Sequence, residues 1–499
     1  MPTPSVQDGQ GSAPKRSEQA TTTQNLNNGS HKRTKVGAFT KVPDEWYLEF
    51  PVQGQKHSEF GGCRRIEDAY ERIGHLGQGT YGEVFKARDK ETGEVVAVKK
   101  IKMENEKEGF PITAVREIKI LSKLAASDDE LSGELMRSNI IRLREVVRSD
   151  ASEENGYKGS VYMVFDYMSH DLAGLLDRAN QSRLADATAR GLPHHKARPP
   201  FLPGQVKRYM KQLLSGLALL KQHRILHRDL KNANLLVSNE GELKIADFGL
   251  ARSFYQSKIR DDQDGVKPDA PNKQGVGHMT NRVITLWYRP PELCLGTEQY
   301  GWEVDIWSAG CILVEMLTGR PLFPGKDEVE QVKLICHVLG MPDENSMPGC
   351  TMWKDYDKIM MSLSGSHFRT NSNLRSVLQN RGIQDKYALD LIEKLLALDP
   401  SQRIPAYEAA MHAWFEQEPR MLPLNEMPKY EESHELAMKS KRASAKAGRL
   451  EHVIAADVPP QPAHYGFGSQ GHSQGSYGDY SQGRSQQHRS MPKWHEERR

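Results

Sequence analysis

Cysteine is scarce in this chain. There are five in 499 residues (Cys63, Cys294, Cys311, Cys336 and Cys350), and none forms a C-x-x-C pair. An odd, scattered set excludes a disulfide framework and argues against zinc; it reads as free thiols in a reducing compartment. Long apolar runs are missing too. No stretch approaches the roughly 18 residues of a membrane span, and the opening MPTPSVQDGQGS lacks the apolar core of a secretory signal. A soluble, intracellular protein with no membrane partner is expected. Neither charge dominates: 68 Lys and Arg against 65 Asp and Glu leave a net +3, which argues against wholesale capture by nucleic acid. Hydrophobic residues make up 37% and mean hydropathy is −0.67, low for a chain globular throughout. Polar disordered segments are therefore expected beside a domain with ample length for a core.

The chemistry-bearing residues gather in 227–252, HRDLKNANLLVSNEGELKIADFGLAR. Two apolar runs, Asn234–Val237 and Leu243–Ile245, flank Asn239-Glu240-Gly241-Glu242, the pattern of a hairpin. His227-Arg228-Asp229 precedes the first run and Asp247-Phe248-Gly249 follows the second, so closing the hairpin brings Asp229, Asn234 and Asp247 to one end. Three oxygen-bearing side chains there can take a hydroxyl proton and hold magnesium, which prefers oxygen ligands. In this order and spacing the paired motifs resemble the catalytic and metal-binding loops of eukaryotic protein kinases. The resemblance implies a two-lobed α+β fold, a small mainly β lobe over a larger mainly α lobe, using ATP and Mg2+. It makes Asp229 the base that orients a substrate hydroxyl and Lys231 the cation for the transferring phosphoryl group. Asn234 and Asp247 become the magnesium ligands.

Upstream, Leu76 leads into Gly77-Gln78-Gly79-Thr80-Tyr81-Gly82-Glu83-Val84, a G-x-G-x-x-G run whose glycines allow a loop to fold over phosphates. Dinucleotide-binding folds share this spacing but need a helix after it. Here 83–87 reads as strand, Lys90-Glu91-Thr92-Gly93 as turn and Val95–Lys99 as a second strand. That strand holds Val96-Ala97-Val98-Lys99, and Lys99 is the cation expected at the α- and β-phosphates. Next, Pro111 suits a helix first turn, and Val115, Ile118, Leu121 and Ala125 recur at helical spacing. Glu117 on this helix can pair with Lys99, while Arg116 lies about 100° around the axis and can serve another partner.

The segment Pro111-Ile112-Thr113-Ala114-Val115-Arg116-Glu117 closely resembles the PITALRE and PITAIRE helices of transcriptional cyclin-dependent kinases, both cyclin-T partners and plant C-type enzymes. In that family a cyclin, here of T or K/L type, packs on this helix. The residues alone show only an amphipathic helix that could equally pack on its own lobe. The resemblance also puts Phe165 at the back of an adenine pocket, Asp166, Tyr167 and Met168 at the hinge and Asp171 at the ribose edge. Ala97 and Leu236 complete the expected ATP site. Met279-Thr280-Asn281-Arg282-Val283-Ile284-Thr285-Leu286-Trp287-Tyr288-Arg289-Pro290-Pro291-Glu292 matches the same pattern. Thr280 aligns with a threonine phosphorylated by an activating kinase, and Arg116, Arg228 and Arg252 with the arginines that receive the phosphate. Thr285 is expected to hydrogen-bond near Asp229 and Lys231. The Val283-Ile284 turn implies Ser/Thr-Pro substrates, because proline brings no N–H to be satisfied. By resemblance Asp305 braces the catalytic loop and Arg403 pairs with Glu292.

The expected organisation is a disordered arm over 1–60, a kinase domain over 70–415 (lobes 70–167 and 169–415) and a disordered tail over 416–499. Insertions are expected at 125–138, 179–204 and 256–277. His31-Lys32-Arg33-Thr34-Lys35 and the basic run 439–446 read equally as nuclear import signals or solvated charge; the Gly/Ser/Gln/Tyr-rich stretch 465–489 as a weak RNA contact or an inert tail. The expectation is a nuclear, cyclin-dependent Ser/Thr kinase acting on the RNA polymerase II C-terminal repeat. Two alternatives stand beside it: a cell-cycle-branch kinase, and a catalytically silent scaffold that binds RNA or splicing factors.

Overall fold

In the small lobe, alternate residues of neighbouring strands share a face, and that alternation separates core from cleft. The computed structural model describes residues 63–79, 82–102, 110–126, 139–150, 159–193, 197–254, 279–365, 367–368 and 371–435; the arm over 1–60, the basic clusters and the stretch 465–489 lie outside them, as do 127–138 and 256–277 of two expected insertions. A short helix α1 (Ile66–Ala69) precedes five strands: β1 (Tyr70–Gly79), β2 (Gly82–Asp89), β3 (Val95–Lys100), β4 (Leu143–Arg148) and β5 (Val161–Asp166). They form an antiparallel sheet in the order β1-β2-β3-β5-β4. Phe85, Ala87, Val96, Val98, Val147 and Val164 make a core on one face. Ala97 and Lys99, on the opposite face of β3, lie toward the cleft, where Ala97 is opposite Phe165 and Lys99 opposite Val84. A Cβ at Gly82 would overlap the Lys100 carbonyl, so the start of β2 tolerates only glycine.

Helix α2 (Ile112–Ala126) starts after Pro111, whose carbonyl accepts from Ala114 and Val115. Its buried stripe is Ala114, Glu117, Ile120, Leu121 and Leu124. The stripe expected at Val115, Ile118, Leu121 and Ala125 is thus rotated, because a carboxylate that must meet Lys99 takes an inward position.

The large lobe is helical. Its main helices are α3 (Leu172–Ala189), α4 (Pro203–Gln222), α5 (Pro291–Cys294) and α6 (Glu303–Thr318), with further helices through Ala410. Helix α6 is buried nearly all round, with Val304, Trp307, Ala309, Ile312 and Leu313 fully enclosed, so it serves as the post around which the lobe packs. Three two- or three-residue strands, β6 (His170–Asp171), β8 (Leu235–Val237) and β9 (Leu243–Ile245), form one small sheet; β7 (Ile225–Leu226) pairs with β10 (Arg252–Ser253).

Two expected boundaries are corrected. The insertion over 179–204 is not a loop throughout: α3 carries the chain to Ala189, burying Arg183 and Ala187, and turn residues Gly191 and Pro193 follow only then. Nor does a disordered tail begin at 416: residues 416–435 pack on the large lobe. Lys207 Nζ donates to the Gln417 carbonyl (2.7 Å), Arg208 Nε to that of Leu422 (2.7 Å), Met427 is buried against Gly241, and Tyr430 meets Gln205 (3.1 Å). Anchors this widely spaced make no periodic pattern, which is why the polar composition of 416–435 reads as a tail.

Candidate active site

Lys99 projects from β3 into the space between the lobes. Its Nζ lies 2.9 and 3.0 Å from the Glu117 carboxylate oxygens and 3.3 Å from Asp247 Oδ1. Burial works against the ammonium, but the Glu117 and Asp247 charges outweigh it and lift Lys99 above its usual range. Asp247 is held the other way: burial would raise its carboxyl, yet the Lys99 and His227 charges bring it below the ordinary value. Asp247 has left-handed backbone (φ 65°), as does Arg228 (φ 63°), strain that places both side chains beside the catalytic loop.

The hairpin read from the sequence forms as β8 and β9, with Leu235 opposite Ile245 and Val237 opposite Leu243. The loop before it is held from below: Asp305 of α6 accepts from the N–H groups of His227 (2.8 Å) and Arg228 (2.9 Å). Asp229 is buried; its Oδ1 accepts from Thr285 Oγ1 (3.0 Å) and its Oδ2 from Lys231 Nζ (2.6 Å). Asn234 Nδ2 donates to the Asp229 carbonyl (2.8 Å), which leaves the amide oxygen as its donor atom for a cation. One carboxylate and one amide oxygen at the end of a hairpin fit a hard divalent ion such as magnesium rather than a thiolate-seeking metal.

These groups edge a cleft of about 410 Å³, within the range of small-molecule sites. Leu76, Gly77, Gly82, Val84 and Ala97 line it from the small lobe, Leu236, Asn234, Lys231 and Asp247 from the large, with Phe165, Asp166, Met168 and Asp171 between. Not every predicted contact is brought there. Glu83 turns to Arg72 (2.5 Å), because it lies on the opposite face of β2 from Gly82 and Val84. Thr80, Tyr81 and the side-chain position of Gln78 lie outside the described residues, and Gly79 is described only as the last residue of β1. Asp166 lines the cleft but spends its carboxylate on Arg144 (2.7 Å). Asp171 caps α3 by accepting from Gly174 N (2.7 Å).

A second cluster lies beside the first. Arg228 Nε donates to the Leu250 carbonyl (2.9 Å) and its Nη1 to the Tyr300 hydroxyl (3.1 Å), which in turn donates to the Thr280 carbonyl (2.7 Å). Arg116 reaches the Gly249 carbonyl (3.4 Å). Burial, then the charges of Arg228 and Arg252, push the Arg116 guanidinium below its usual range, so Arg116 feels both of the other arginines. Exposed Thr280 therefore hangs on this cationic group through one tyrosine. Beyond it Ile284 has φ 67°, rare for a β-branched residue, with its carbonyl taken by Arg289 (3.0 Å). Arg403 donates a fully buried pair of hydrogen bonds to the Glu292 carboxylate (2.5 and 2.8 Å).

Sequence reasoning missed His434 and Glu435, which line the cleft from the segment expected in the tail. Their contacts with the fold span some 260 residues of chain: Glu435 N donates to Asp171 Oδ2 (2.8 Å, separation 264). No local pattern signals that. Among the described residues no helix is long and apolar enough to cross a membrane.

Comparison with known proteins agrees with this geometry. The protein kinase domain family matches residues 70–415. Cyclin-dependent kinase C-1 of Oryza sativa subsp. japonica is 45% identical over 391 residues, 76% of this chain and 64% of the relative, so the chain spans less than two thirds of it. Cyclin-dependent kinase C-2 of Arabidopsis thaliana is 42% identical over 388 residues (76% and 65%). Cyclin-dependent kinase 9 of Danio rerio is 42% identical over 371 residues, 74% of this chain and 86% of the relative. A matched domain, a cleft with the motif residues gathered around it and relatives of one kind converge: the chain belongs to the protein kinase family, in its cyclin-dependent branch.

Proposed function

We propose that the chain is a cyclin-dependent Ser/Thr protein kinase that transfers the γ-phosphoryl group of ATP to Ser/Thr-Pro sites, with the RNA polymerase II C-terminal repeat as its main substrate in the nucleus. The observation that carries this reading is Asp229 held between Lys231 and Thr285, at the edge of the cleft where Lys99 meets Glu117 and Asp247. In this reading Asp229 orients the substrate hydroxyl and takes its proton on a carboxylate oxygen as the new P–O bond forms and the bond to the leaving diphosphate breaks. Lys231 neutralises the group in transfer, and Lys99, fixed by Glu117, holds the inner phosphates. Magnesium, when bound by Asn234 and Asp247, supplies further charge neutralisation. Thr285 keeps Asp229 in position.

A cyclin of the T or K/L type is the partner proposed for α2, whose Ile112 is 66% exposed beside exposed Phe110. An activating kinase would phosphorylate Thr280, and the arginine cluster would receive the phosphate. The strained Ile284, its carbonyl engaged by Arg289, supports a preference for proline after the phosphoacceptor, since any other residue brings an N–H to be satisfied there. The test is phosphate incorporation into polymerase-tail peptides, Ser-Pro against Ser-Ala, and into histone peptides, by the chain purified with its cyclin. Preference for histone peptides would favour the cell-cycle reading, and no incorporation into any peptide would favour the scaffold.

A further inference from the structure

The loop that carries Asp229 and the segment that carries Thr285 meet twice. The first contact is in the site, Thr285 Oγ1 to Asp229 Oδ1 (3.0 Å). The second comes three residues later in both segments: Asn232 Nδ2 donates to the Tyr288 hydroxyl (3.2 Å), which donates to Glu315 Oε2 on α6 (2.8 Å). Asn232 and Tyr288 are buried, and neither lines the cleft. Tyr288 N donates to the Thr285 carbonyl (2.9 Å) and its own carbonyl accepts from Ser308 Oγ (2.9 Å), so the tyrosine cannot shift without carrying Thr285. Helix α6 therefore holds the loop at two places. Asp305 takes the N–H groups of His227 and Arg228, and Glu315, ten residues on and about 15 Å along the axis, takes the Asn232 end. Asp229 and Lys231 stand between these two holds. Burial pushes the Glu315 carboxyl up, with hydrogen bonding from the Tyr288 hydroxyl and the Asn232 amide drawing it back. The amide itself carries a cost: Asn232 Oδ1 is buried and, among the described residues, has no hydrogen-bond partner. A buried acceptor left unpaired weakens a fold, so stability does not account for an asparagine here, whereas the bond made by its nitrogen does.

We propose that Asn232 is a positioning residue for phosphoryl transfer: by tying the catalytic loop through Tyr288 to Glu315, it fixes how Asp229 and Lys231 stand against the substrate segment. The inference rests on the reading that Asp229 is the base. Asn232 touches no reacting atom; it acts through Lys231, its neighbour in the chain, and through Tyr288, one short turn from Thr285. A transfer that depends on in-line placement of its groups is sensitive to shifts of an ångström or less, which is the scale such a brace controls.

The test is the rate of phosphoryl transfer to a Ser-Pro peptide in rapid quench, at saturating ATP and peptide, by the full-length chain with its cyclin. Asn232→Ala should transfer about tenfold more slowly. Its affinity for ATP should stay within about twofold of the native value. Its Tm should be unchanged or higher, because an unpaired oxygen leaves together with the lost bond. Tyr288→Phe removes one oxygen, keeps the ring, and should slow transfer by a similar factor. The double variant should be no slower than the slower single one, since the two side chains form one chain of bonds. Native rates in both single variants, or a double loss equal to the product of the two, would overturn the proposal. A lowered Tm with a native transfer rate would mark Asn232 as structural only and reject it. Asp229→Asn run beside them separates the two readings. Native-like transfer by that protein would overturn the base, and the positioning role with it; loss there with native-like transfer by Asn232→Ala would overturn the positioning role alone.

Discussion

Arg116 and Glu117 are neighbours on α2 yet serve opposite electrostatic designs. Glu117 turns into a closed arrangement in which one ammonium faces two carboxylates within 3.3 Å. Arg116 turns toward Arg228 and Arg252, three like charges whose mutual repulsion, after burial, lowers the Arg116 pKa. The first region has its counter-charges inside the chain. Among the described residues the second has an excess of cation that a dianion would relieve. Two adjacent residues about 100° apart on one helix thus couple the place where phosphoryl chemistry is proposed to the place where a phosphate is proposed to regulate it.

The largest test of that contrast is Lys99→Met. It leaves Glu117 and Asp247 facing each other with no cation between them, and transfer should fall by about 10²–10³, read as kcat with peptide substrate. Glu117→Gln leaves the lysine its Asp247 contact and removes one charged hydrogen-bond partner; kcat/KM for ATP should fall about 10- to 100-fold, while an unchanged value would show the pair to be idle. At the arginine cluster, Thr280→Ala should abolish an activation of about tenfold that phosphatase treatment also removes from the native protein. Smallest is Arg252→Ala in unphosphorylated protein. Relief of repulsion should stabilise the fold by about 0.5 kcal/mol, whereas loss of stability in a denaturant titration would mean that the cluster is already compensated.

Within the first region Lys99 and Asp247 respond to pH in opposite directions. Lys99 has its folded pKa raised, so its contribution is complete below its unfolded value and is lost only as pH rises through the higher folded value. Asp247 is lowered, so its contribution is complete above its unfolded value and is lost as pH falls through the lower folded one. Glu117, whose carboxyl burial raises, has the opposite sign to Asp247 and costs stability as pH rises past its unfolded value. The Lys99 and Asp247 contributions should stay flat between about pH 6 and 9, and the Asp247 contribution should decline below about pH 4, followed by thermal unfolding.

Much of this site was legible because its chemistry sits in short motifs with fixed spacing. The hairpin turn at 239–242 closes where the sequence puts it, and with it Asp229, Asn234 and Asp247 come to one end. Lys99 and Glu117, on different elements, were paired by the motifs that carry them, since the helical period alone put Val115, Ile118, Leu121 and Ala125 inward rather than Glu117. Glu83 was misjudged because the glycine motif names residues without saying which face of β2 each takes. The helical run to Ala189 was hidden by Pro and His residues that follow it in the same polar stretch. His434 and Glu435 were not legible at all. Their place depends on Ser433 docking against His170, a contact between residues 263 apart.

The most direct measurement is transfer of radiolabel from the γ-position of ATP to a Ser-Pro peptide by the full chain with its cyclin, compared with Asp229→Asn. Because the substitution keeps shape while removing the base, label transfer should drop by about 10²–10⁴ with peptide binding unchanged. Equal labelling by the two proteins would contradict the assignment of the chemistry to Asp229.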